Sequence, residues 1–127
     1  MLKTLRLAFI AIIMIVAAAC TNSSPESVAS AFMEDVKVGN FDNIETLLDM
    51  EDEFAASKVD ALKTKLSQAS RFRKIQSYKV ASVDMNSDGT AATVKFTVKE
   101  LSLTGVEKET TETVKTKYKK GKWYVRM

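Results

Sequence analysis

Histidine is absent from this chain, and cysteine, proline and tryptophan occur once each. Without histidine, the side chain that most often carries protons near neutral pH is missing, which weighs against general acid–base catalysis. A single cysteine, Cys20, forbids an intramolecular disulfide, so the folded part must hold itself together by packing. There is no nucleophile motif, no glycine-rich phosphate loop, and no grouping of side chains with metal-ligand spacing. The sequence therefore predicts neither a metal nor a cofactor, and no enzyme. Glycine is scarce as well, with four residues, and each falls where an element should end.

Charge of one sign is also nearly balanced in the working part. Taking Lys3 and Arg6 of the leader from the 19 basic residues leaves 17 against 16 acids. The informative feature is asymmetry. Glu26 to Asp60 holds ten acids and two bases, whereas Ala61 to Met127 holds six acids and fifteen bases. Two solvated faces that attract each other on folding account for this most simply. A basic surface resting on anionic lipid is the sharper reading, and nucleic acid is not an expected partner.

The chain starts MLKTLRLAFIAIIMIVAAAC. Two positive residues precede an unbroken apolar run from Leu7 to Ala19. As a helix those thirteen residues span roughly 20 Å, short of a hydrocarbon core of about 30 Å. A short apolar run ending in small residues marks a cleavable export signal. The junction Val16-Ala17-Ala18-Ala19-Cys20 resembles the lipobox of bacterial lipoproteins, although Ala17 stands where that family prefers leucine. The resemblance implies cleavage between Ala19 and Cys20, diacylglycerol on the cysteine sulfur, and a membrane anchor of two or three acyl chains. Thr21 occupies the place where the family's inner-membrane retention signal puts aspartate, which by resemblance favours the outer membrane. Ala17 and Ala19 also satisfy the small-x-small rule of ordinary signal peptidase, which would release a soluble periplasmic protein. The expected organisation is a signal peptide (1–19), a tether with the lipidated cysteine (20–24), and one folded domain (25–127).

Within that domain, Ser24-Pro25-Glu26 is a helix start, and Gly39 supplies its stop. Val28, Ala31, Phe32 and Val36 share a helical face. A short helix fits Phe41 to Leu48, with Ile44, Leu47 and Leu48 as its stripe, and Asp49 to Glu53 is a link. A third helix from Phe54 to Arg71 carries Ala55, Val59, Leu62, Leu66 and Ala69 at spacings of four and three. Past Ile75 the pattern alternates as strands do: Lys74–Met85, Ala91–Leu103, Glu107–Lys119 and Trp123–Met127. In the second strand Ala92, Val94, Phe96 and Val98 share one face, but Leu101 and Leu103 fall on the other. That shift predicts a bulge or bend near Lys99 and Glu100. A strand of thirteen residues measures roughly 43 Å, too long to lie flat over a small core, so the sheet must curl. The fold class is α+β, with N-terminal helices packed on a strongly curved four-stranded antiparallel sheet.

Helices followed by a long bent sheet resemble the nuclear transport factor 2-like (cystatin-like) fold, a cone with a cavity at its mouth. The opening Ser24-Pro25-Glu26-Ser27-Val28-Ala29, then Phe32, Gly39-Asn40-Phe41 and the closing Gly121-Lys122-Trp123, look like a family of small bacterial lipoproteins of unknown function with that fold. What this implies is an architecture and a pocket, without an inherited activity; homodimers through the sheet are common among such folds. The candidate pocket residues are Phe32, Phe96, Glu112, Tyr118 and Trp123. Strict alternation places Glu112 on one face with Thr110 and Tyr118. Asp35, Asp84 and Glu100 are the other carboxylates nearest apolar patterns, and Tyr78 could also face inward. The plainer role for each aromatic is core packing, and for each carboxylate a solvated surface. Lys115, Lys117 and Lys119 share a strand face that is either solvated or in contact with anionic lipid or a partner. The expected function is an envelope-anchored, non-catalytic lipoprotein binding a small apolar ligand or a partner. The alternative is an adaptor or inhibitor working through the exposed sheet face.

Overall fold

Ser24 caps the first helix by accepting free N–H groups of its first turn. Its Oγ receives the Ser27 N–H at 3.0 Å, Pro25 occupies the first turn, and Gly39 ends the helix at φ +79°. A computed structural model describes residues 21–127, so the leader, Ala19 and Cys20 lie outside the described residues. Helix α1 spans Pro25–Val38. It buries Val28, Ala29, Met33 and Asp35, while Ala31, Phe32 and Val36 are half-buried beside them. The buried arc is wider than the single stripe expected, because α1 lies along the concave face of the sheet and touches all four strands and the segment that follows it.

That segment, Phe41–Leu47, is a 3-10 helix, where the sequence suggested an α-helix reaching Leu48. Its polar Asn40 makes no side-chain cap, and so short a piece gains little from α geometry. Ile44, Leu47 and Leu48 are nevertheless buried as expected. Helix α2 spans Glu53–Ser70 and starts on Asp52, whose carboxylate accepts the Phe54 N–H at 2.9 Å.

The sheet runs β1 (Arg73–Met85), β2 (Ala91–Ser102), β3 (Glu107–Lys119) and β4 (Lys122–Val125), all antiparallel and in sequence order. Lys120 and Gly121 join β3 to β4 at φ +51° and +83°, the paired positive angles of a tight hairpin turn. The predicted irregularity near Lys99 and Glu100 exists but sits on the other strand. Pairing of β2 with β3 is unbroken from Ala91↔Lys117 to Leu101↔Glu107. On β1, Ile75 faces Glu100 and Ser77 faces Lys99, so Gln76 is an extra residue; Ala81 is a second, between Val80↔Phe96 and Ser82↔Lys95. These two bulges bend the edge strand while keeping Ile75, Tyr78, Val80 and Val83 opposite the inward residues of β2.

Val94, Phe96 and Val98 are fully buried and form the core with Val28, Ile44, Leu47, Trp123 and Val125. Burying one side chain of this kind contributes about 1.5–3 kcal/mol. Both edges of the sheet are managed. At β4, the Trp123 N–H donates to the Asn22 carbonyl at 2.9 Å and Leu48 bridges Val125, so the free backbone groups there are covered. At β1, the bulges and exposed Arg73, Lys74 and Lys79 discourage another strand from pairing.

Candidate functional site

Helix α2 is buried near its start and more exposed at its end. Along its apolar stripe Ala55 and Val59 are buried, Leu62 and Leu66 are half-buried, and Ala69 is exposed. Beside its C-terminal turns, between Leu66, Ala69 and Ser70 and the facing residues of α1 and β1, lies a cleft of about 360 Å³. Phe32, Met33, Val36, Leu66 and Ile75 give the cleft an apolar floor. Its rim is charged, with Lys37, Arg73 and Lys74 against Glu100 and Glu112. The dimensions and lining suit a small molecule with an apolar body.

One polar pair is fixed in place. Glu100 continues the inward row Ala92, Val94, Phe96, Val98 and is itself buried, with its Oε2 accepting from Arg73 Nη1 at 3.2 Å. The Arg73 side chain is 54% exposed, so its other N–H groups reach the water of the cleft mouth. Lys37 holds its ammonium 6.0 Å from the centre of the Tyr78 ring. Tyr78 in turn donates its hydroxyl to Glu34 Oε2 at 2.6 Å and meets Phe96 edge-on at 5.9 Å, tying β1 to α1. Burial, then the Glu34 carboxylate, pushes the Tyr78 phenol well above its ordinary range.

The sequence-derived candidates separate into three places. Phe32 and Glu112 line the cleft together. Phe96, fully buried, and Trp123, 7% exposed, are core side chains and leave no surface for a ligand. Tyr118 shares the inward register but lies beyond the core, 44% exposed, with its ring 5.4 Å from that of Trp123. Cys20 and Ala19 fall outside the described residues. Sequence reasoning did not select Arg73, Ile75 or Leu66; it named Glu100 beside a bend and among the carboxylates nearest apolar patterns, without assigning it to the pocket. Extending the alternation from Ala92 through Val98 by one more step would have found Glu100.

The other carboxylates do structural work elsewhere. Asp35 is buried and accepts the Asn43 side-chain N–H at 2.8 Å, joining α1 to the 3-10 helix. Burial raises its pKa, with the Asn43 hydrogen bond opposing and the Glu34 charge adding to the rise. Asp49, 5% exposed, takes Lys119 Nζ at 2.8 Å and Lys117 Nζ at 3.1 Å on one oxygen and the Glu51 N–H at 3.2 Å on the other. The Lys119 hydrogen bond, against the cost of burial and with Lys117 assisting, holds Asp49 at about 2. Two of the three lysines expected to share a solvated strand face are therefore occupied by the acidic link. A second depression, about 400 Å³, lies between Phe54, Lys58 and Leu62 of α2 and the Val125–Met127 end; it is broader and has no fixed polar pair.

No protein-family model matches the chain, and no curated protein sequence does. Among solved structures it is similar to a SEC-C motif containing protein from Rhodopseudomonas palustris, with a TM-score of 0.67 at 18% identity. That likeness covers 88% of this chain and 82% of the other. It is also similar to a protein described as an NTF2-like transpeptidase from Campylobacter jejuni, with a TM-score of 0.59 at 19% identity over 81% of this chain and 97% of that one. Identities this low speak to fold alone. With helices first, a four-stranded antiparallel sheet and a cleft between helices and sheet, the chain has the nuclear transport factor 2-like fold.

Proposed function

We propose that this is a lipid-anchored envelope protein, tethered through Cys20, whose domain binds a small, largely apolar molecule without transforming it. The observation that carries the binding part is the cleft itself: an apolar floor with a single immobilised polar pair at its rim. A ligand there buries its body on Phe32, Val36, Leu66 and Ile75 and meets Arg73 with any polar end. Support for a non-catalytic role comes from where the perturbed groups sit. Asp35, Asp49 and Tyr78 are held in contacts that join elements, and none of them lines the cleft. The transpeptidase description of the Campylobacter jejuni protein does not transfer at 19% identity.

The anchor rests on the leader and on the lipobox-like junction ending at Cys20. Among the described residues no helix is long and apolar enough to cross a membrane. Thr21 after the cysteine supports the outer membrane as the destination. The rival reading, an adaptor acting through the exposed sheet face, requires an apolar patch there. That face instead carries Lys79, Lys95, Lys99 and Lys115 among threonines, as the strand register dictates. Titration of the purified domain with the uncharged dye N-phenylnaphthylamine tests the cleft. Ala69 is exposed and lines it, so Ala69→Trp fills the space at little cost to folding. Dye affinity should fall at least tenfold in that variant, about 1.4 kcal/mol. Equal binding by both proteins would remove the cleft as the site.

A further inference from the structure

The segment that follows Cys20 is not a loose tether. Asn22 is fastened to the edge of β4 at both backbone groups of Trp123: its carbonyl accepts the Trp123 N–H at 2.9 Å, and its side-chain Nδ2 donates to the Trp123 carbonyl at 2.7 Å. Two residues of chain reach at most about 7 Å. An acylated Cys20 therefore enters the bilayer close to Trp123, and the surface around Trp123 must meet the headgroups.

That surface has the chemistry for it. Tyr118 lies against Trp123 with 44% of its surface exposed, an aromatic ring with a polar tip of the kind that settles at membrane–water boundaries. Beside it, the hairpin turn reads Lys119-Lys120-Gly121-Lys122. Lys119 is engaged by Asp49. Lys122 makes no ion pair among the described residues, and Lys120 pairs only with Glu51, which is itself 70% exposed. The Lys122 ammonium is exposed and open to lipid phosphate, and Lys120, 73% exposed in a solvent-facing pair, can exchange Glu51 for it. The cleft lies at the opposite end of α1. From Ser24 to Val36 a helix rises about 18 Å, which sets the mouth of the cleft on the side away from the anchor.

We propose that the β3–β4 turn, with Tyr118, rests on the anionic headgroup layer of the membrane and that the cleft consequently opens away from the bilayer. This rests on the lipid-anchor reading above. It also says where the ligand comes from: the aqueous side or a partner protein, rather than directly from the leaflet beneath.

If Cys20 is acylated, the mature chain has no other thiol, so single cysteines can be introduced cleanly. Full-length protein carrying Lys122→Cys, Lys37→Cys or Lys95→Cys is labelled with an environment-sensitive fluorophore. Each is reconstituted in phosphatidylethanolamine–phosphatidylglycerol vesicles containing a headgroup nitroxide lipid. These positions report the turn, the cleft mouth and the outer sheet face. Quenching at position 122 should exceed that at 37 and 95 several-fold. Comparable quenching at all three, or strongest quenching at 37 or 95, overturns the orientation. Intact mass on the same samples keeps the two readings apart. An acylated chain with uniform quenching leaves the anchor standing and removes only the orientation, whereas an unacylated chain that floats free of vesicles removes both.

Discussion

Asp49 is the side chain through which the acidic first half of the domain grips the basic second half. Its carboxylate is buried, satisfied on both oxygens, and held near 2 by Lys119 and Lys117. A carboxyl group whose pKa is depressed on folding contributes stability that is complete above its unfolded value, about 4, and is lost as pH falls through the folded one. Acid unfolding should therefore steepen between about pH 4 and 2. Asp49→Asn should flatten that slope and cost about 2 kcal/mol at neutral pH, the worth of hydrogen bonds to a charged group; urea titrations of both proteins across pH check it. Glu100 and Arg73 make an unequal pair, because the carboxylate is buried and the guanidinium is half in water. Arg73→Ala strands a buried charge and should cost about 2 kcal/mol. Glu100→Gln leaves only a hydrated cation and should cost less than about 1 kcal/mol. Chemical denaturation that ranks the two the other way would contradict the burial assigned to Glu100.

The elements show how far a sequence pattern can be followed. Strand β3 spans Glu107–Lys119 as alternation and flanking glycines indicated, and α1 starts and stops at its capping serine and its left-handed glycine. The bend was assigned to the wrong strand for a definable reason. Leu101 and Leu103 broke the pattern of β2, yet Leu103 is 76% exposed and is simply an apolar side chain in water. Hydrophobicity alone cannot distinguish such a residue from one that faces inward. The spacing that does report the bulges is in β1, where Ile75, Tyr78, Val80, Val83 and Met85 recur at intervals of three, two, three and two. The cleft was illegible for another reason. The stripe from Ala55 to Ala69 is uniform in sequence, but its burial fades along α2, and that gradient is set by what the helix packs on. Phe96 and Trp123 were indistinguishable from pocket aromatics for the same reason, since only packing decides which ring closes the core. Because Ala81 is an extra residue, deleting it leaves Val80↔Phe96 and Ser82↔Lys95 as consecutive pairs and keeps Tyr78 and Ile75 facing inward. The deletion straightens the strand and should cost less than Tyr78→Ala, which removes a ring packed on Phe96 at about 3 kcal/mol. Urea denaturation of the two variants checks the order.

Taken whole, the molecule has two ends with different chemistry. One carries Asn22 docked on Trp123, an exposed tyrosine and a lysine-rich turn; the other carries the apolar cleft with its Arg73–Glu100 rim. The acidic link and the basic strand β3 meet through Asp49, Glu51 and Asp52 on Lys117, Lys119 and Lys120. Among the described residues, the lysines without an ion pair include Lys79, Lys95, Lys99 and Lys115 on the outer sheet face and Lys122 at the turn. On the function proposed above, a domain arranged this way would hold a small molecule at a fixed height above the surface to which Cys20 joins it. Native mass spectrometry of the protein purified from its own membranes tests that claim most directly. The account predicts a mature chain beginning at Cys20, heavier by two or three acyl chains and a glycerol, with a small molecule retained non-covalently. A chain that keeps its leader, or one that begins at an unmodified Cys20 and carries nothing, would contradict it.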